Sequence, residues 1–111
     1  MSELQITAEQ TPGGFLVHLA GDADGEQVDE LDRQLRLIAN VNPKQIVLDM
    51  ARLNFISSPG MGLLVRVHQG LKENGGKLVL AAPRPLVRDA LRRAALQKLF
   101  EIRDAVEESN P

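Results

Sequence analysis

Two apolar triplets constrain the chain more than any other feature: Ile46-Val47-Leu48 and Leu78-Val79-Leu80. Successive residues of a strand point to opposite faces, so three apolar residues in a row need cover on both sides of a sheet. Between the triplets lies a stretch with the length and composition of a helix. Two covered strands joined by a helix favour parallel neighbours and a right-handed crossover.

The rest of the chain extends this core. Leu4, Ile6 and Ala8 alternate with polar residues, as in a half-buried strand. Thr11-Pro12-Gly13-Gly14 is turn material, and residues 15–20 give a second strand, so the chain opens on a hairpin. Residues 21–25, Gly-Asp-Ala-Asp-Gly, break that pattern. Val28, Leu31, Leu35 and Ile38 then recur at intervals of three and four, which places them on one face of a helix ended by Asn42-Pro43. Residues 44–50 form the first covered strand and 51–58 a loop. A second helix runs from Pro59 to about Asn74 and closes at Gly75-Gly76. Residues 77–82 are the second covered strand. Pro83 and Pro85 open a third helix carrying Leu86, Val87, Ala90, Leu91 and Ala94. Residues 99–102 form a short last strand, and 104–111 an acidic helical turn or frayed tail. The expected order is β-β-α-β-α-β-α-(β), a mixed sheet of four to five strands flanked by helices in one α/β domain over residues 1–111.

Composition narrows the function. At 111 residues the chain has the size of one domain, typically about 100–150 residues. Aromatic residues are only 3% and Trp and Tyr are missing, so stacking on nucleic-acid bases has little to work with. A net charge of −2 gives no electrostatic footprint for nucleic acid or an anionic membrane. With no Cys there is no disulfide, thiolate chemistry or cysteine metal site. No apolar run approaches the roughly 20 residues of a membrane span, and residues 1–10 lack the pattern of a signal peptide. A soluble, cytoplasmic protein is the expectation.

One segment carries the candidate site. Residues 49–62, from Asp49 to Gly62, join a covered strand to a helix start, where open α/β sheets form their binding sites. Ser58 reads as the N-cap and Pro59 as the first helical residue. Gly60 and Gly62 let the backbone approach a neighbour closely. Free N–H groups and the helix dipole favour an anion nearby. Residue chemistry alone favours the plainer reading, a capped helix packed on the sheet. Other polar residues add little. His18 reads as a solvent-facing strand residue, and His68 has no partner at metal-ligand spacing. Asp22 and Asp24 suit helix capping at least as well as a cation. Arg84, Arg88, Arg92 and Arg93 read as a solvated face. No phosphate-binding loop, nucleophile elbow or paired catalytic set is present. No cofactor and no enzymatic activity are expected.

The segment resembles that of anti-sigma factor antagonists and of STAS domains generally, D-L-S-x-V-x-F-M-D-S-S-G-L-G. Asp49, Leu53, Phe55, Ser58, Gly60 and Gly62 match it, with Met50, Ile56 and Met61 as apolar equivalents. Residues 21–24 are similar to the family's G-E-L-D, residues 75–80 to its G-G-x-L-x-L, and residues 96–102 to its G-L-x-x-L-F-x-I. The resemblance implies a regulatory protein-binding module. Its partner would be a kinase-type anti-sigma factor, a serine kinase of the histidine-kinase-like ATPase fold. Partner contact would run through Asp22, Asp24, Ser57, Ser58, Pro59, Gly60, Met61, Val65 and Arg66. In phosphorylated members the acceptor hydroxyl precedes the first glycine, and that position here is Pro59. The expectation is then a chain that is not phosphorylated, or one phosphorylated at Ser58, with Ser57 as the second candidate. A scaffold subunit of a signalling assembly, or the cytoplasmic STAS subunit of a lipid-transport ATP-binding-cassette complex, are the alternatives the resemblance leaves open.

Overall fold

The computed structural model describes residues 3–106. Its elements follow the expected order: β1 Gln5–Thr11, β2 Gly14–Ala23, α1 Glu26–Ala39, β3 Gln45–Ile56, α2 Ser58–Glu73, β4 Lys77–Ala81, α3 Pro85–Arg93 and β5 Glu101–Arg103. One sheet holds the strands in the order β1-β2-β3-β4-β5. The opening hairpin makes β1 antiparallel to β2, and every later neighbour is parallel. Three right-handed crossovers stepping in one direction along a sheet leave their helices on the same face. One core cluster accordingly joins Leu31 and Leu35 of α1, Leu63 and Leu64 of α2, and Val87 and Leu91 of α3 to Ile46, Leu48, Leu78 and Leu80 of the strands.

The triplets behave as alternation requires. Ile46 and Leu48 enter that core, while Val47 points the other way into a second cluster with Val79 and Ala81, packed by Leu16 and Val106. Val28, Leu31 and Leu35 of α1 are buried, and Ile38 packs partly buried against them. The last strand falls at 101–103 rather than 99–102, because Leu99 still belongs to the turn after α3 and is exposed. Residues 104–105 are a bend and 106 lies in a 3-10 turn, and the rest of the expected helical turn or frayed tail, from 107 onward, lies outside the described residues.

Two expected breaks are strand instead. The predicted loop 51–58 continues β3 as far as Ile56, and the predicted break at 21–25 continues β2 as far as Ala23. The two extensions pair with each other, Gly21 with Leu53, Asp22 with Phe55 and Ala23 with Ile56. Register shifts after His18 and after Gly21 alter the alternation, so burial falls on Met50, Leu53 and Ile56. That spacing of three matches no strand template, which hid the extension from a reading of either segment alone.

Helices α2 and α3 end on the same bonds. Gly75 and Gly76 donate N–H to the carbonyls of Lys72 and Leu71, and Ala95 and Leu96 donate to those of Arg92 and Leu91. This Schellman closure needs a left-handed residue, filled by Gly75 in α2 and by Ala95 at φ 59° in α3.

Candidate functional site

The extended pair of β2 and β3 delivers the candidate segment to one end of the sheet. The Ser57 N–H donates to the Ala23 carbonyl at 3.0 Å, which fastens the start of α2 to the end of β2. Ser57 has extended backbone angles, φ −79° and ψ 168°, and its buried Oγ accepts the Gly60 N–H at 3.1 Å. Ser57 is therefore the N-cap, and the expected cap, Ser58, is the first helical residue. Pro59 follows at the second position, where its missing N–H still costs nothing.

The cap at Ser57 decides which hydroxyl is available. The Ser57 hydroxyl serves the cap, whereas Ser58 is exposed, as is Pro59. Gly60 is required by contact: a Cβ there would lie 2.9 Å from Ile56 Cγ1 and 3.3 Å from the Ala23 carbonyl oxygen. Gly62 is not. A Cβ on Gly62 would meet only Arg66 Nη1 at 3.6 Å, so the guanidinium folds back over the preceding turn. Arg66 is exposed, but Met61 and Val65 are half-buried and pack against the core rather than standing free on the surface.

Asp22 is half-buried on the β2 extension, and Asp24 is exposed just beyond it. Neither caps α1 with its side chain. The N-cap is Gly25, at φ 55°, without a side-chain hydrogen bond. Asp24 instead accepts the Gly25 N–H at 2.9 Å and offers its backbone carbonyl to the Gln27 N–H. Among the described residues no cluster of three His, Asp or Glu side chains could hold a metal ion.

One apolar feature of this end was not singled out by the sequence. Phe55 is 43% exposed and Leu86 64% exposed. They flank a groove of about 130 Å³ floored by Ile56, Val87 and Ala90, with Asp89 and Arg93 at its rim. Arg84 holds the start of α3 against the β3 extension, donating to the Ala51 carbonyl at 2.9 Å and to Asn54 Oδ1 at 2.6 Å. The basic side of α3 is mostly paired, Arg88 with Asp104, and Arg92 and Arg93 with Asp89. The sequence marked Phe55 only as a match within the resembling segment, because an isolated aromatic carries no sign of whether it is exposed.

A profile described as the STAS domain matches residues 5–109. The chain belongs to the STAS domain family. This STAS domain is 28% identical over 102 residues to the anti-sigma F factor antagonist of Paenibacillus polymyxa, covering 91% of this chain and 87% of that protein. It is 25% identical over 104 residues to BtrV of Bordetella bronchiseptica, by its description a candidate anti-sigma factor antagonist, covering 94% of this chain and 90% of that one. Among solved structures, an anti-sigma factor antagonist from Mycobacterium paratuberculosis matches with a TM-score of 0.87 at 20% identity, over 96% of this chain and 90% of that chain. Unphosphorylated SpoIIAA matches with a TM-score of 0.78 at 21% identity, over 88% and 87%. The structural likenesses show the fold. Among the described residues, no helix is long and apolar enough to cross a membrane.

Proposed function

We propose that this STAS domain is an anti-sigma factor antagonist. It binds a kinase-type anti-sigma factor at the end of the sheet that carries Asp22, Asp24, Ser57, Ser58, Pro59, Gly60, Met61, Val65 and Arg66. The names of its relatives support the role. The observation that carries the reading is the start of α2, which leaves Ser58 and Pro59 exposed beside the end of β2 while Ser57 is taken up by the cap. In this reading Gly60 acts by letting the helix sit close to β2, and Met61 and Val65 support the surface from beneath. Ser58, Pro59, Asp24 and Arg66 are the residues a partner meets.

Phosphate control, in this reading, runs through Ser58. Pro59 has no hydroxyl, and using Ser57 would cost the cap. A phosphate on Ser58 adds about two negative charges at the end of the sheet that carries Asp22 and Asp24, so repulsion opposes an acidic partner surface and the cost of desolvating the phosphate opposes an apolar one. Two measurements test this. Calorimetric titration with the ATPase-fold anti-sigma factor of the same cell should give at least tenfold weaker binding for Ser58→Asp and for Arg66→Glu, about 1.4 kcal/mol. Unchanged affinity in both variants moves the interface elsewhere. Mass spectrometry after incubation with that kinase and ATP should find phosphate on Ser58 and none in Ser58→Ala. Phosphate on Ser57 overturns the assignment, and a chain that takes no phosphate is a constitutive binder.

A further inference from the structure

Outside the proposed docking residues, one side chain ties three strands together. His18 lies on β2 between the buried Val17 and Leu19, so it points to the sheet face opposite the helices. Its Nδ1 is 2.7 Å from Oδ2 of Asp49, its register partner on β3. Its Nε2 is 3.0 Å from Oε2 of Glu9 on β1. A neutral imidazole has a single N–H to donate, whereas two carboxylates each require a donor. The arrangement is complete only with the imidazolium.

Among the described residues the surroundings offer the carboxylates no other cation. On β1 the residue facing His18 is Thr7, and Glu9 lies diagonally. On β3, Asp49 uses its second oxygen to accept the Ala51 N–H at 3.0 Å. Arg52 is paired with Ala20, past the register shift. Across the sheet Asp49 faces Ala81 of β4, and beyond it Arg103 of β5 is bonded to Glu101. Among the described residues neither Glu9 nor Asp49 has a Lys or Arg partner, so His18 is their counter-ion.

The position of this bridge gives it a consequence. The β2–β3 register shifts immediately after the pair of His18 and Asp49, and the displaced strands run on to residues 20–23 and 52–56. We propose that the bridge of Glu9, His18 and Asp49 is a proton-operated link that fastens the edge strand β1 through β2 to β3 and holds the shifted pairing beyond it. The link loosens as His18 loses its proton, whatever docks at that end. Its hydrogen bonds to Glu9 and then Asp49 hold the His18 pKa above its ordinary value of 6.5. A raised histidine pKa means the link is fully formed below about 6.5 and is lost as pH rises through the raised value.

The test is an NMR titration of the full chain, following the His18 ring and the amides of residues 20–23 and 52–56 together. The expected result is a His18 midpoint above 6.5, lowered by Glu9→Gln and by Asp49→Asn, with the amides shifting at the same midpoint. His18→Gln should abolish that amide response. A His18 midpoint at or below 6.5 overturns the proposal. So do amides that ignore the titration, or amides that keep the same midpoint in His18→Gln.

Discussion

Ser57 and Ser58 are chemically identical neighbours with opposite tasks. A helix start leaves its first N–H groups without partners, and a side-chain oxygen at the N-cap satisfies one of them. Both serines qualify, and a proline next door fits the first helical position, which points to Ser58. Tertiary structure decides otherwise. The Ser57 N–H is bonded to Ala23, which holds Ser57 extended at the sheet end and aims its Oγ at the Gly60 N–H. Ser57→Ala should therefore cost about 1 kcal/mol, within the roughly 0.5–2 kcal/mol of cap losses. Ser58→Ala, an exposed change, should stay within about 0.5 kcal/mol. Urea denaturation of both variants checks this, and the reverse ranking would return the cap to Ser58. The motif was legible in the sequence, but not the division of labour inside it, because a bond to a residue 34 positions earlier sets it.

At the scale of elements, legibility followed local pattern. The triplets at 46–48 and 78–80 are the short apolar runs of strands covered on both faces, Val28, Leu31 and Leu35 recur with the period of a helix, and each was placed from sequence. The far halves of β2 and β3 carry no such period. They are strands because they have each other, with the register shifts absorbing the mismatch. Gly21 shows how tight that end is. It sits at φ 114°, and a Cβ there would stand 2.0 Å from the Glu3 carbonyl oxygen. Gly21→Ala should destabilise by at least about 1–3 kcal/mol from the backbone conformation alone. Gly70, within α2 and with open space around it, is the internal control. Gly70→Ala should stabilise by about 0.5–1 kcal/mol through helix propensity. Thermal or urea melts of both variants test the pair. A neutral Gly21→Ala would mean that the β2 extension is loosely held.

Across the whole molecule, the two histidines act on stability in opposite pH ranges. His68 is buried on α2, where Nδ1 accepts the Leu78 N–H of β4 at 3.1 Å and the ring packs against Phe100 at 5.2 Å. It thus ties the second helix to a central strand and to the chain before β5 through a nitrogen that must stay unprotonated. Burial, then the charge of Lys72, holds its pKa below 6.5. The unfolded chain therefore takes up the proton first, so the His68 contribution is present above about 6.5 and lost as pH falls toward the folded value. His18 has the opposite sign, since its raised pKa makes its contribution complete below about 6.5 and removes it as pH rises. Glu30 and Glu101, whose pKa values are lowered from 4.5 by their basic partners, act only further into acid. Between pH 5 and 8 the stability curve should have a maximum near 6.5, with an acid limb set by His68 and an alkaline limb set by His18. Urea midpoints at half-unit intervals, in wild type, His68→Asn and His18→Gln, would resolve it. His68→Asn keeps an acceptor for the Leu78 N–H and should flatten the acid limb alone, while His18→Gln should flatten the alkaline limb alone. An acid limb that survives His68→Asn unchanged would assign that loss of stability to groups other than the buried imidazole.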